Sequence, residues 1–175
     1  MYFAKQNKVV FCFNNCYTIR MKVLNPTHQI EFNKKSIFLC GTMADVNEQD
    51  WREFVIGKLR ESGFDGVVYN PDYTNIPQNK RLSYENQILW EISAMKSSAI
   101  VCFWINRKMD SHPGLTTNVE FGYWVRSSKV VYGRPQNAEK CFYLDYIYAL
   151  EQNKQPVDTL EGLASEVIKL TKEAK

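Results

Sequence analysis

Carboxylates and amides are the reactive groups this sequence offers most clearly. The most pointed is Glu120, in the stretch PGLTTNVEFGYW over residues 113–124. Thr117-x-x-Glu120 ahead of an apolar-patterned run has the form of a helix capping box, in which the glutamate only closes a hydrogen bond to the threonine backbone. A helix start in an α/β protein is also a place to hold a reactive carboxylate. The helix N-terminus favours negative charge by ~0.3–1 kcal/mol, and an ionised glutamate can attack an anomeric carbon to form a glycosyl ester. The motif alone leaves both readings open. Asp72, Glu91, Asp110 and Asn118 complete the set of polar groups, with Thr116 and Thr117 beside them.

Other chemistries find no support. There is no G-x-G-x-x-G after the first strong strand, no G-x-x-x-x-G-K-[ST] and no G-x-S-x-G, so dinucleotide, P-loop and serine-hydrolase sites are not indicated. Five cysteines, an odd number, show no paired spacing beyond C-x3-C at Cys12 and Cys16. Reduced thiols in a cytoplasmic compartment are the expectation. His28 and His112 stand far apart, so neither a metal nor a cofactor is expected. A net charge of +3 with scattered Lys and Arg argues against a nucleic-acid partner. No apolar run approaches the ~18 residues of a membrane span, so no membrane partner is expected.

The elements that must position these groups alternate. SIFLC (36–40), GVVYNP (66–71), AIVCFWI (99–105) and KVVYG (129–133) read as strands. Helical spacing falls over 47–62, over 84–97 with Ser83 as cap and Ile88, Ile92 and Met95 on one face, from the opening stretch to about Ser127, and over 140–150 and 159–173. Near-continuous apolar strands between helices predict an α/β fold, a doubly wound flavodoxin- or Rossmann-like parallel sheet flanked by helices. The α/β domain is expected over 36–175. Residues 1–35 are expected to be an N-terminal β extension, with KVVFCF and CYTIRMKVL as a possible hairpin. Ligands of such sheets bind beyond the carboxyl ends of the strands. The expected rim is therefore Gly41-Thr42-Met43, Asn70-Pro71-Asp72, the 104–116 loop and Gly133-Arg134-Pro135.

The run SIFLCGTM, then WREFVIGKLRESGFDGVVYNP, then QILWEISAMKSSAIVCFWI, then PGLTTNVEFGYWVRSSKVVYGRP resembles the nucleoside 2-deoxyribosyltransferase-like family over about residues 36–150. The resemblance implies that Glu120 is the nucleophile that takes up the (deoxy)ribosyl group, with Gly122 allowing close helix packing. It makes Glu91 the general-acid candidate, with Asp72 as a second carboxylate able to assist base departure; for Asp72 a plain turn after Pro71 is the competing reading. Gly41, Thr42, Asn70, Thr117 and Asn118 join Gly122 as substrate-binding candidates, Asn118 toward the sugar 3′-hydroxyl. Asn137 is a candidate polar group lent between subunits of a homo-oligomer. Some transferases of the family carry an Asp six residues before the nucleophile, where this chain has Gly114. The implied partner is a small-molecule nucleoside or its 5′-monophosphate, with Arg134 or Lys108 suited to a phosphate. The implied activity is transfer or hydrolysis at the N-glycosidic bond; the alternative is a non-catalytic nucleotide-binding module on the same fold. Trp51, Tyr69, Tyr73, Trp104 and Trp124 could stack on a base or fill the core.

Overall fold

A computed structural model describes residues 21–44 and 47–173. Within them the chain runs β1 (Lys22–Leu24), β2 (Ser36–Gly41), α1 (Trp51–Glu61), β3 (Val67–Tyr69), a 3-10 turn (Gln78–Lys80), α2 (Tyr84–Ser97), β4 (Ile100–Trp104), α3 (Leu115–Trp124), β5 (Val130–Gly133), α4 (Phe142–Gln152) and α5 (Leu160–Glu173). The strands form one sheet in the order β1-β3-β2-β4-β5, and every pair is parallel. This is the doubly wound α/β arrangement that the apolar strands predict.

Strand residues alternate between the sheet's two faces, and each face has its own core. Ile37 and Leu39 of β2 pack with Trp51, Val55 and Leu59 of α1 and Leu163 and Val167 of α5. Phe38 and Cys40 point the other way, among Trp90 and Met95 of α2, Phe121 of α3 and Tyr148 of α4. Both faces of β2 and β4 are covered, which is why those strands read as unbroken apolar runs.

Asp50 caps α1, its side chain accepting from the backbone N–H of Arg52 and Glu53. Ser83 caps α2 as expected, accepting from Asn86 N. The first turn of α1 leans over the end of β2, where Trp51 Nε1 donates to Thr42 O at 2.9 Å. Strand β1 adds to the sheet edge in register with Val67–Tyr69. The hairpin expected within residues 8–24 lies largely outside the described residues. The part of it that is described, Lys22–Leu24, pairs in parallel with β3. Helix α3 ends at Trp124, short of Ser127, because Ser127 N turns back to Trp124 O at 2.8 Å. The face expected on α2 is split: Met95 is buried, whereas Ile88 and Ile92 remain exposed beside a groove toward α3.

Candidate active site

The carboxyl ends of β2 and β3 and the facing sides of α2 and α3 enclose a cavity of about 380 Å³, a volume suited to a small-molecule ligand. Glu91, Glu120 and Asp72 all line it, with Gly41 and Thr117. Each of the two glutamates is aimed by an aromatic neighbour in sequence. Trp90 is buried against Phe38 and Tyr69 at ring separations of 6.3 and 6.0 Å, and its indole N–H donates to His28 O at 2.9 Å. That fixes the rotation of α2 and turns Glu91, the next residue, toward the cavity. Phe121 does the same for α3, packed on Phe103 and Tyr132 at 5.2 and 4.8 Å, and Glu120 precedes it.

Glu120 and Glu91 are half-buried. Cys40 donates its thiol hydrogen to Glu120 Oε2 at 3.0 Å, and Gln87, one turn before Glu91, donates to Glu91 Oε1 at 2.8 Å. Burial pushes the Glu120 carboxyl above its ordinary range; the Cys40 hydrogen bond opposes this, the charge of Glu91 adds to it, and Arg52 pulls it down. Burial raises Glu91 too, against the Gln87 hydrogen bond and Arg52. The two carboxyls line one cavity, and desolvation lets each keep its proton to higher pH than an exposed glutamate does.

Arg52 is the site residue that sequence reasoning passed over. It is 4% exposed and lines the cavity. Its donors go to carbonyls at the end of β2: Nε to Leu39 O at 3.4 Å, Nη1 to Thr42 O at 3.4 Å and Nη2 to Gly41 O at 3.0 Å. The guanidinium also lies 4.5 Å from the Trp51 ring centroid. A fixed cation thus stands beside the carboxylates without being consumed by either. Arg81 also lines the cavity, held by Ile76 O and Tyr73 O at 2.9 and 3.0 Å. The two cations expected to meet a phosphate are engaged elsewhere: Arg134 grips Asp145 at 2.6 Å and Lys108 reaches Glu48 at 2.7 Å.

The remaining candidates divide. Asp72 lines the cavity while its Oδ1 accepts from Thr74 N and Oγ1 at 2.8 and 2.6 Å, so the carboxylate also forms the Asx turn that follows Pro71. Thr42 is buried, its hydroxyl donating to Asn106 O at 3.2 Å, and it faces an adjoining cavity at the start of α3. Asn70 is buried one step back, accepting from Asp72 N at 3.1 Å, so it shapes the loop rather than the cavity wall. Asn118 is turned away: its side-chain oxygen accepts from Arg107, and it does not line the cavity. Asn137 is exposed on the loop after β5, also off the cavity. Gly122 is exposed, and a Cβ placed there would meet nothing within 4 Å among the described residues, which corrects the expectation of close packing at that position. Of the aromatics, Trp51, Tyr69 and Trp104 are core, whereas Tyr73 lines the cavity and Trp124 the neighbouring groove.

The capping box does not form. Helix α3 begins at Leu115 after Gly114, which serves as N-cap at φ 61° with no side-chain cap. Thr117 is therefore a buried first-turn residue, and Glu120 lies in the second turn, where the helix terminus contributes less to its charge. Gly114 suits that left-handed backbone. Glycine adopts that conformation freely, and a Cβ there would sit 2.8 Å from Thr42 Cγ2.

A family model described as "Nucleoside 2-deoxyribosyltransferase like" matches residues 34–138, more than half of the chain. No curated protein matches the sequence.

Proposed function

The chain belongs to the nucleoside 2-deoxyribosyltransferase-like family, and on that premise we propose that it cleaves or transfers at the N-glycosidic bond of a (2-deoxy)nucleoside or its 5′-monophosphate through a glycosyl-Glu120 intermediate. The observation that carries this reading is the pairing of Glu120 and Glu91 across one cavity, both half-buried and both raised above the ordinary carboxylate range by that burial. A pair holding one proton supplies both roles the reaction needs, a charged nucleophile and a neutral acid.

In the reactive form Glu120 is ionised and attacks C1′, while Glu91 gives its proton to the departing base. The Gln87 amide orients Glu91 through Oε1. Arg52, pinned to β2 carbonyls, offsets negative charge near Glu120 without forming an ion pair that would quench it. Asp72 lines the same cavity, where a ribose hydroxyl or base amine can reach it. Another base or a water then takes the sugar with retention overall.

A homo-oligomer is part of the proposal. Helices α3 and α4 leave Val119 74%, Tyr123 69%, Phe142 81% and Tyr143 72% exposed. A second copy of the chain is the simplest cover for so much apolar side chain. Asn137 stays a candidate for reaching a neighbour's cavity, since it is exposed and off its own.

The test is incubation with a panel of deoxynucleosides and their 5′-monophosphates, with and without an acceptor base. Free base released without acceptor, and lost in Glu120→Gln, supports hydrolysis; base exchange supports transfer. Binding without turnover, unchanged in Glu120→Gln, would overturn the enzymatic reading in favour of a binding module.

A further inference from the structure

Cys40 occupies the last buried position of β2, opposite Phe103 in the β2–β4 register, 2% exposed, yet on the cavity wall. Strand alternation sends its side chain to the α2–α3 face, where it meets Glu120 Oε2 at 3.0 Å. We propose that Cys40 is a positioning residue of the reaction: its thiol is a fixed hydrogen-bond donor that holds Oε2 and leaves Oε1 as the oxygen that bonds C1′. The inference rests on the reading of Glu120 as nucleophile.

The thiol is suited to donate and unsuited to attack. Burial, with the charge of Glu120 beside it, raises its pKa well above that of a free cysteine, so the proton stays on sulfur. The groups that bear on Glu120 come from three elements: Cys40 on β2, Glu91 on α2 and Arg52 on α1. Of these the thiol is the one that hydrogen-bonds it.

In the first half-reaction an Oε1 lone pair forms the bond to C1′ as the C1′–N bond breaks. The bonding pair passes to the base nitrogen, which takes the Glu91 proton. Oε2 becomes the ester carbonyl oxygen and still accepts from the thiol. In the second half-reaction the acceptor nitrogen or water bonds C1′, the C1′–Oε1 pair returns to the carboxylate, and the acceptor's proton returns to Glu91. Glu120 is then the leaving group, and the thiol stabilises the charge it regains on Oε2. The donor therefore assists sugar release more than sugar capture.

The experiment compares wild type with Cys40→Ala, Cys40→Val and Cys40→Ser on a nucleoside that wild type turns over. Base release is followed against pH and the glycosyl-enzyme by intact mass after rapid quench. Removing the donor in Cys40→Ala moves the acid limb of kcat/KM to higher pH. It also slows sugar release about tenfold, the scale of one hydrogen bond to a charged acceptor, so glycosyl-enzyme accumulates. Cys40→Val, which keeps the bulk without the donor, does the same. Cys40→Ser restores both. An unchanged acid limb and release rate in Cys40→Ala or Cys40→Val, with only a lower melting temperature, would mean the thiol merely packs and overturns the proposal. Base release that survives Glu120→Gln, with no glycosyl-enzyme formed by wild type, overturns the nucleophile reading itself, and this inference with it.

Discussion

Glu120→Gln should make the protein more stable at neutral and alkaline pH, and the gain should vanish in acid. The carboxylate is half-buried with a weak thiol donor at 3.0 Å, and a second desolvated carboxylate faces the same cavity. The amide is nearly isosteric: its oxygen keeps the Cys40 thiol, and its N–H can face Glu91. What the substitution removes is the desolvation and like-charge cost of ionising Glu120; what it loses is attraction to Arg52, whose donors are already taken by backbone. The sign follows from the raised pKa. Stability from a carboxyl with raised folded pKa is complete below its unfolded value and is lost as pH rises through the folded one, and glutamine suffers no such loss. Relief of a destabilised active-site charge is typically worth about 0.5–2 kcal/mol. For a chain this size that lifts the melting temperature by about 2–4 °C per kcal/mol. Thermal unfolding at pH 4, 6 and 8 reads it: the variant's advantage should grow across the series. A variant no more stable at pH 8 than at pH 4, relative to wild type, refutes the claim that this carboxylate is held under electrostatic strain.

Asn118→Ala should lower stability by about 1–3 kcal/mol by stripping Arg107 of a buried acceptor, while KM for substrate stays within about twofold; a large rise in KM would restore the sugar-contact role. Gly41→Ala should cost at least about 1–3 kcal/mol by overpacking, because a Cβ there would lie 2.0 Å from Trp104 O at a backbone φ of 154°; a thermal melt equal to wild type contradicts the close approach. Turnover should follow a bell-shaped pH profile set by the two carboxyls, and Glu91→Gln should abolish the alkaline limb along with most base release. Sedimentation should show an oligomer that Val119→Glu with Tyr123→Lys dissociates; a monomeric wild type would leave that apolar face without the proposed partner.

Much of the frame was legible because burial writes itself into strands and helices by period. The runs at 37–40, 99–105 and 130–132 are apolar since both faces of the sheet are covered, and Ser83 announces α2 by its own side chain. The carboxylate positions were legible only through the wider motif order. Arg52 was not: an arginine in the first turn of an amphipathic helix reads as solvated until the carbonyls of Leu39, Gly41 and Thr42 are seen to take its donors. Thr117 misled in the opposite sense. Thr-x-x-Glu describes a cap only if the helix starts there, and the left-handed Gly114 starts it earlier. Asn118 looked available because nothing local marks Arg107 as its partner across the loop.

A covalent sugar on Glu120 can be read by intact-protein mass after incubation with a 2′-deoxy-2′-fluoro nucleoside, whose electron-poor sugar slows release of the intermediate. Peptide mapping of the product follows. The expected product carries one added fluorodeoxyribosyl group, located on Glu120 and absent in Glu120→Gln. Base release with no covalent adduct, or an adduct on another residue, would contradict a glycosyl-Glu120 intermediate.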